Sequence, residues 1–233
     1  MDARYWAAAT RAFARNLRNR TFLKQVAEMA LVAEGSPVPA SAGGPRARST
    51  HFLLAYPDAA NVSVDLGKVS YQTWNMDPME RFCIGALVKL RQPRAIFEFG
   101  TFDGTTTEVV AKCAPEAEVF TLDISPDAGA RLDGVPDARR ITRLTGDSLT
   151  FNFEPYVGKM DMVIVDGGHD YECARSDTAN ALRMLMPGGL LIWDDYAPAW
   201  PGVVRAVDEA ADRNELGILS IAGTELVVHD RGR

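Results

Sequence analysis

From Arg94 to the C-terminus the chain alternates short apolar runs with helix-like segments, and this alternation restricts the fold more than any other feature. The runs are RAIFEFG, AEVFTLDI, RRITRLTGDS, KMDMVIVDGG and GLLIWDDY, and between them lie TEVVAKCA and SDTANALRML, with apolar residues at helical spacing. Strands that are apolar along their whole length are buried on both faces, the condition of a parallel sheet covered by its own crossover helices. A helix over VVRAVDEAADR precedes LGILSIA and TELVVHD, two runs around a Gly-containing turn that read as an antiparallel hairpin. The expectation is an α/β fold with a doubly wound sheet of seven strands, mostly parallel and closed by that hairpin.

Upstream, four stretches differ in character. Residues 1–34 read as a helical arm, and residues 35–50, which include GSPVPASAGGP, as a linker. Residues 51–92 form a cap and a pre-sheet helix, in which Asp77 caps, Pro78 opens, and Met79, Phe82, Cys83, Ala86, Leu87 and Leu90 recur at helical spacing. Residues 93–233 are the main domain, and the chain has no internal repeats. Residues 3–27 carry Arg4, Arg11, Arg15, Arg18, Arg20 and Lys24 and no acid, a profile that partly mimics a transit peptide. No serine precedes Ser36, however, and Trp6, Phe13, Leu17, Phe22, Leu23, Val26 and Leu31 follow a loose helical pattern. An arm that closes over the site or joins a homodimer or higher homo-oligomer fits better, and the apolar stripe is modest for one that lies on a membrane surface.

A net charge of −6 without a long basic run disfavours a nucleic-acid partner. No apolar run approaches the ~18 to 20 residues of a membrane span, so no membrane partner is expected. A small molecule remains. Cys83, Cys113 and Cys173 are odd in number and form no CxxC, which suggests reduced thiols in a cytoplasmic protein, Cys113 being an apolar filler.

The most informative segment is Glu98-Phe99-Gly100-Thr101-Phe102-Asp103-Gly104, between a strand and a helix. Glycines there let a ligand approach the backbone, and the helix start offers free N–H donors. The spacing is GxxxG, so the GxGxxG dinucleotide fingerprint is not met, and a plain glycine turn is the competing reading. Asp123 ends the next strand about 20 residues on, where an acid can accept both ribose hydroxyls. Asp147, in TGDS, or its neighbour Ser148 can bond an adenine amine, although an Asx-turn explains Asp147 equally well.

The ordered set Glu98/Gly100/Gly104, Asp123, Asp147, Asp166 and Pro187-Gly188-Gly189 resembles class I S-adenosylmethionine-dependent methyltransferases over residues 75–230, which implies a Rossmann-like fold. The resemblance implies that Glu98 and Gly100, with Thr101 and Gly104, border the methionine and ribose, and that Thr106 binds the methionine carboxylate. It implies that Phe102 lies over the cofactor, Asp123 grips the ribose with Ile124 beside it, and Asp147 and Ser148 border the adenine. VIVDGGHDYE and LLIWDDY look like small-molecule O-methyltransferases acting on macrolide sugars and, more distantly, the catechol type. Those relatives imply Mg²⁺ at Asp166, Asp194 and Asp195, although the catechol type usually has Asn where Asp195 stands.

Carboxylates at the ends of neighbouring parallel strands can converge on such an ion, and all-oxygen ligation suits Mg²⁺. Alternatively, Asp194 or Asp195 caps the next element and Asp166 orients the cofactor through water. His169 is the candidate base with Asp170 as deputy, and a structural His bonding the loop is the competing reading. The acceptor is a hydroxylated small molecule, with Tyr196, Trp200 and Pro201 on one wall and Tyr71, Trp74 and Met76 on the other. Aromatics stack on a sugar or phenolic ring but as often plug a core; Tyr171 and Trp193 are read as packing residues. The alternatives are a metal-independent O- or N-methyltransferase and a cofactor-binding scaffold without catalysis.

Overall fold

The computed structural model describes residues 47–67, 75–134 and 138–232, all within the compact unit Pro45–Arg233. The arm at 1–34, Tyr71 and Trp74 lie outside the described residues. Eight strands form one sheet: β1 (Arg48–Thr50), β2 (Ala95–Phe99), β3 (Glu118–Asp123), β4 (Ile141–Thr145), β5 (Met160–Val165), β6 (Leu185–Trp193), β7 (Leu219–Ile221) and β8 (Val227–Asp230). Their order is β1-β7-β8-β6-β5-β2-β3-β4, and β8 alone runs against its neighbours. Among the described residues five α-helices accompany them: α1 (Phe52–Ala55), α2 (Pro78–Arg91), α3 (Thr105–Cys113), α4 (Tyr171–Met184) and α5 (Pro201–Asn214).

The Rossmann-like sheet and its terminal hairpin match the expectation, but there are eight strands rather than seven. The extra one, β1, falls in the stretch read as a linker and pairs in parallel with β7. Its sequence, RST, has no apolar residue, so only backbone pairing marks it as a strand.

The two faces of the sheet divide the apolar residues of each strand. Ile96, Met162, Ile164, Leu190 and Ile192 join the core beneath α2 and α3, with Leu87, Val88, Val109 and Val110. Phe97, Phe99, Val163, Val165, Leu191 and Trp193 join the core beneath α4 and α5, with Ala181, Met184 and Val207. Each large apolar side chain buried this way contributes ~1.5 to 3 kcal/mol, which explains why the runs are continuously apolar. Cys113 packs in the first core, and Trp193 in the second, where its indole N–H donates to Thr178 Oγ1 at 2.9 Å.

Helix α2 starts at a capping box: the Asp77 side chain accepts from the Met79 N–H, and Glu80 Oε2 accepts from the Asp77 N–H. The other Glu80 oxygen accepts from the Glu225 N–H at 2.7 Å, fastening the helix start to the β7–β8 turn. Strand register then sets the site. Phe99 stands opposite Leu122 and Val165, and Val165 opposite Trp193, so the next residues, Gly100, Asp123, Asp166 and Asp194, share the sheet's C-terminal edge.

Candidate active site

At that edge a cleft of about 500 Å³ is lined by Gly100, Phe102, Asp123, Ile124, Asp147, Ser148, Asp166 and His169, all anticipated from sequence. Gly100 is held at φ +87°, and a Cβ on it would lie 1.8 Å from the Asp166 carbonyl oxygen, so only glycine fits between β2 and β5. Gly104, at φ +90°, caps α3 without lining the cleft.

Asp123 organises the loop between them. Its Oδ2 accepts from the Thr101 and Phe102 N–H groups at 3.0 and 2.9 Å, and its Oδ1 from the Ser125 N–H at 2.8 Å. The carboxylate therefore builds the wall that it borders. Phe102 at φ +48° stays 45% exposed and Ile124 72%, which leaves apolar surface open along the cleft.

Three residues expected against the cofactor lie behind the cleft wall. Glu98 is buried, and its Oε2 accepts from the hydroxyls of Thr107 and of Thr121, the latter at 2.6 Å. Its Oε1 is buried without a hydrogen-bond partner among the described residues, and burial pushes the carboxyl up to about 7 against the pull of the two threonines. Thr101 turns its hydroxyl inward to Thr121 at 2.6 Å, and Thr106 is buried away from the cleft lining. Sequence reasoning missed Phe99, Leu122, Gly146, Gly167, Gly168, Cys173 and Asp177. The Gly167-Gly168 pair was a visible signal for a close backbone approach; Asp177, inside a helix, had none.

The acidic end of the site joins the loops after β5 and β6. One ligand atom each from Asp166, His169 and Asp195 lies within 4.8 Å of the others, an arrangement that can hold a metal ion. The expected trio was Asp166, Asp194 and Asp195; in the group that the structure brings together, His169 stands in the place of Asp194. Asp194 is buried with Oδ1 unpartnered among the described residues, which marks an acceptor in need of a cation or donor. Burial, then the neighbouring Asp194 and Asp195, hold Asp166 well above the usual carboxylate range; burial, Asp195 and Glu80 do the same for Asp194. Burial likewise raises Glu225, with help from Asp195 and Glu80.

His169 Nε2 stands 2.8 Å from Asp195 Oδ2, and its ring packs on Trp200 with centroids 4.2 Å apart. Burial is the largest single influence and works against the charged imidazole, but the bond to Asp195 and the charges of Asp195, Glu225 and Asp170 together outweigh it, and the pKa lies above the ordinary value. Asp195 adopts φ +59°, a costly conformation for a residue with a Cβ, which turns its carboxylate toward His169.

Other assignments are corrected. Asp170 is not a spare base: its Oδ1 caps α4, accepting from the Glu172 and Cys173 N–H groups, and these bonds hold its pKa low. Tyr196 is 4% exposed; its hydroxyl donates to Asp208 and accepts from the Ala47 N–H at 3.0 Å, so it belongs to the core and not to an acceptor wall. Met76 is also core. Trp200 alone of the described acceptor aromatics stands beside the site.

Residues 97–196 match the family model described as a methyltransferase domain. The match runs from within β2 to the loop after β6, and the sheet around it has the Rossmann-like arrangement. Among solved structures, the O-methyltransferase TomG from Streptomyces achromogenes, involved in tomaymycin synthesis and bound to SAM, is 18% identical with a TM-score of 0.57 over 87% of this chain and 95% of its own. The O-methyltransferase from Bacillus cereus in complex with SAH is 16% identical, with a TM-score of 0.53 over 90% of this chain and 99% of its own. A SAH-bound methyltransferase from Podospora anserina is 19% identical, with a TM-score of 0.54 over 78% and 84%. No curated protein matches the chain. Among the described residues no helix is long and apolar enough to cross a membrane.

Proposed function

We propose that this protein methylates a hydroxyl of a small molecule, a sugar or phenolic natural product, with His169 as the base and Mg²⁺ held by Asp166, Asp194 and Asp195. The observation that carries the reading is the meeting of His169 with Asp166 and Asp195 beside a cleft walled by Gly100, Asp123 and Ser148. The structural neighbour involved in tomaymycin synthesis supports a natural-product acceptor.

When bound, S-adenosylmethionine supplies a methyl group already activated by its positive sulfur. The cleft suits it: the Gly100 backbone permits close approach, Phe102 and Ile124 offer apolar surface, and Asp123 Oδ1, which accepts a single N–H, keeps an acceptor site for a ribose hydroxyl. A divalent cation supplies charge that acidifies the acceptor hydroxyl. The crowded carboxyls of Asp166 and Asp194 and the unpartnered Asp194 Oδ1 fit such an ion.

The protein's own contribution is alignment and proton removal. Asp195 fixes the imidazole plane of His169, Trp200 covers one side of it, and the neutral ring takes the proton of an acceptor hydroxyl set against Trp200. Methyl transfer from labelled S-adenosylmethionine to a panel of hydroxylated sugars and phenols, with and without Mg²⁺, tests the reading. Incorporation into a hydroxylated acceptor that depends on Mg²⁺ supports it; cofactor binding without transfer to any member of the panel tells against it.

A further inference from the structure

We propose that Asp177 is a further cofactor-binding residue, which accepts a hydrogen bond from the exocyclic amine of the adenine at the inner wall of the cleft. The proposal rests on the reading of the cleft as an S-adenosylmethionine site. Asp177 lies on α4, is 1% exposed, and lines the cleft with Asp147, Ser148, Gly167, Gly168 and Cys173. Both of its carboxyl oxygens are buried without a partner at hydrogen-bond geometry among the described residues. Burying a carboxyl in this way costs several kcal/mol unless a donor arrives, and nothing in the packing of α4 calls for it: Ala174 and Ala181 on the same helix simply fill the core.

The surroundings specify the missing donor. A Cβ on Gly167 would stand 2.8 Å from Asp177 Oδ2, so glycine at that position lets the carboxyl lie directly against the turn that walls the cleft. Asp147, the carboxylate expected to read the adenine, spends Oδ1 on the Leu149 N–H at 2.9 Å, while its carbonyl accepts from Thr150 and Phe151. It forms the turn after β4. Asp177 faces the same region and holds no turn together; a hydrogen bond from the Ser148 side chain lowers its pKa against the larger rise from burial, leaving it at about 6, and occupies only part of the carboxyl's acceptor capacity. Near neutral pH the carboxyl is therefore largely ionised and acts as an acceptor for an N–H. In S-adenosylmethionine the amine of the adenine is a planar N–H donor well separated from the sulfur, and it matches the acceptor.

Calorimetric titration at pH 7.5 with S-adenosylhomocysteine and with S-inosylhomocysteine, in which a carbonyl replaces the amine, tests the assignment on wild type, Asp177→Ala and Asp177→Asn. Melting curves without ligand report the fold of each protein. Wild type should prefer the adenine form by about tenfold or more, the worth of a buried bond to a charged acceptor. Asp177→Ala should lose most of that preference by weakening the adenine form alone. Asp177→Asn, which can turn either its carbonyl or its amide to the base, should bind both forms within about threefold of each other. If either folded variant keeps the wild-type preference, or loses affinity for both ligands by the same factor, Asp177 is not an adenine contact. If wild type binds neither ligand, the cofactor reading itself fails; if it binds both and the variants behave like it, only the assignment of Asp177 does.

Discussion

His169 and Asp195 meet at 2.8 Å between Nε2 and Oδ2, joining the loop that follows β5 to the one that follows β6. With Nε2 donating to the carboxylate, the neutral imidazole has Nδ1 as its acceptor atom, and the ring is fixed against Trp200. A base held this way should matter to the chemical step far more than to binding. His169→Ala is expected to lower kcat by about 10²-fold or more while S-adenosylhomocysteine binds within about twofold of wild type. Steady-state kinetics with calorimetry checks this, and an unchanged kcat removes His169 from the base role.

The crowding of Asp166 and Asp194 leads to a prediction about metal. Two neighbouring buried carboxyls cannot both ionise without a compensating charge. Turnover should fall by about tenfold or more after chelation and dialysis and return with Mg²⁺, and Asp166→Asn or Asp194→Asn should abolish the return. Turnover indifferent to chelation would leave the acidic cluster without a metal.

Burial gives Glu98 a different consequence. Its carboxyl is raised to about 7 in the folded protein from an ordinary value of 4.5. The folded state therefore keeps a proton that the unfolded chain gives up, so stability is greatest at low pH on this account and declines as pH rises through about 7. The loss amounts to roughly 3 kcal/mol between pH 4.5 and pH 8. Glu98→Gln should flatten that decline in denaturant titrations and be the more stable protein at pH 8.

Much of this arrangement was legible in the chain, because strands buried on both faces leave continuous apolar runs and the residues just beyond them define the sheet edge. Gly100, Asp123, Asp166 and Asp194 could be located for that reason. What escaped depends on side-chain direction or on backbone pairing alone. Nothing in the spacing shows that Thr101 and Glu98 turn inward, that Tyr196 points into the core, or that the polar residues of β1 form a strand. Asp170 looked like a spare base because a helix cap and a reactive carboxylate are written with the same residue.

Gly100 carries the closest approach in the site. Alanine there would need a Cβ 1.8 Å from the Asp166 carbonyl oxygen as well as a φ of +87°. The backbone at β2 or β5 must move, so Gly100→Ala should destabilise the protein by more than about 3 kcal/mol and eliminate measurable S-adenosylhomocysteine binding. Thermal melting and calorimetry decide the matter, and a stable variant that binds normally would show that the two strand ends are looser than this packing.

Tyr196 separates a structural role from an acceptor contact. Its hydroxyl joins Asp208 on α5 to the Ala47 N–H just before β1, and the ring is buried. Tyr196→Phe keeps the ring but removes one hydrogen bond from a buried carboxylate and one from a backbone N–H, at a cost of about 1 to 3 kcal/mol. Because the hydroxyl faces the core, the acceptor KM should stay within about twofold of wild type while the melting temperature falls. A raised KM at unchanged melting temperature would return Tyr196 to the acceptor wall and require the loop between β6 and α5 to adopt another arrangement when the acceptor binds.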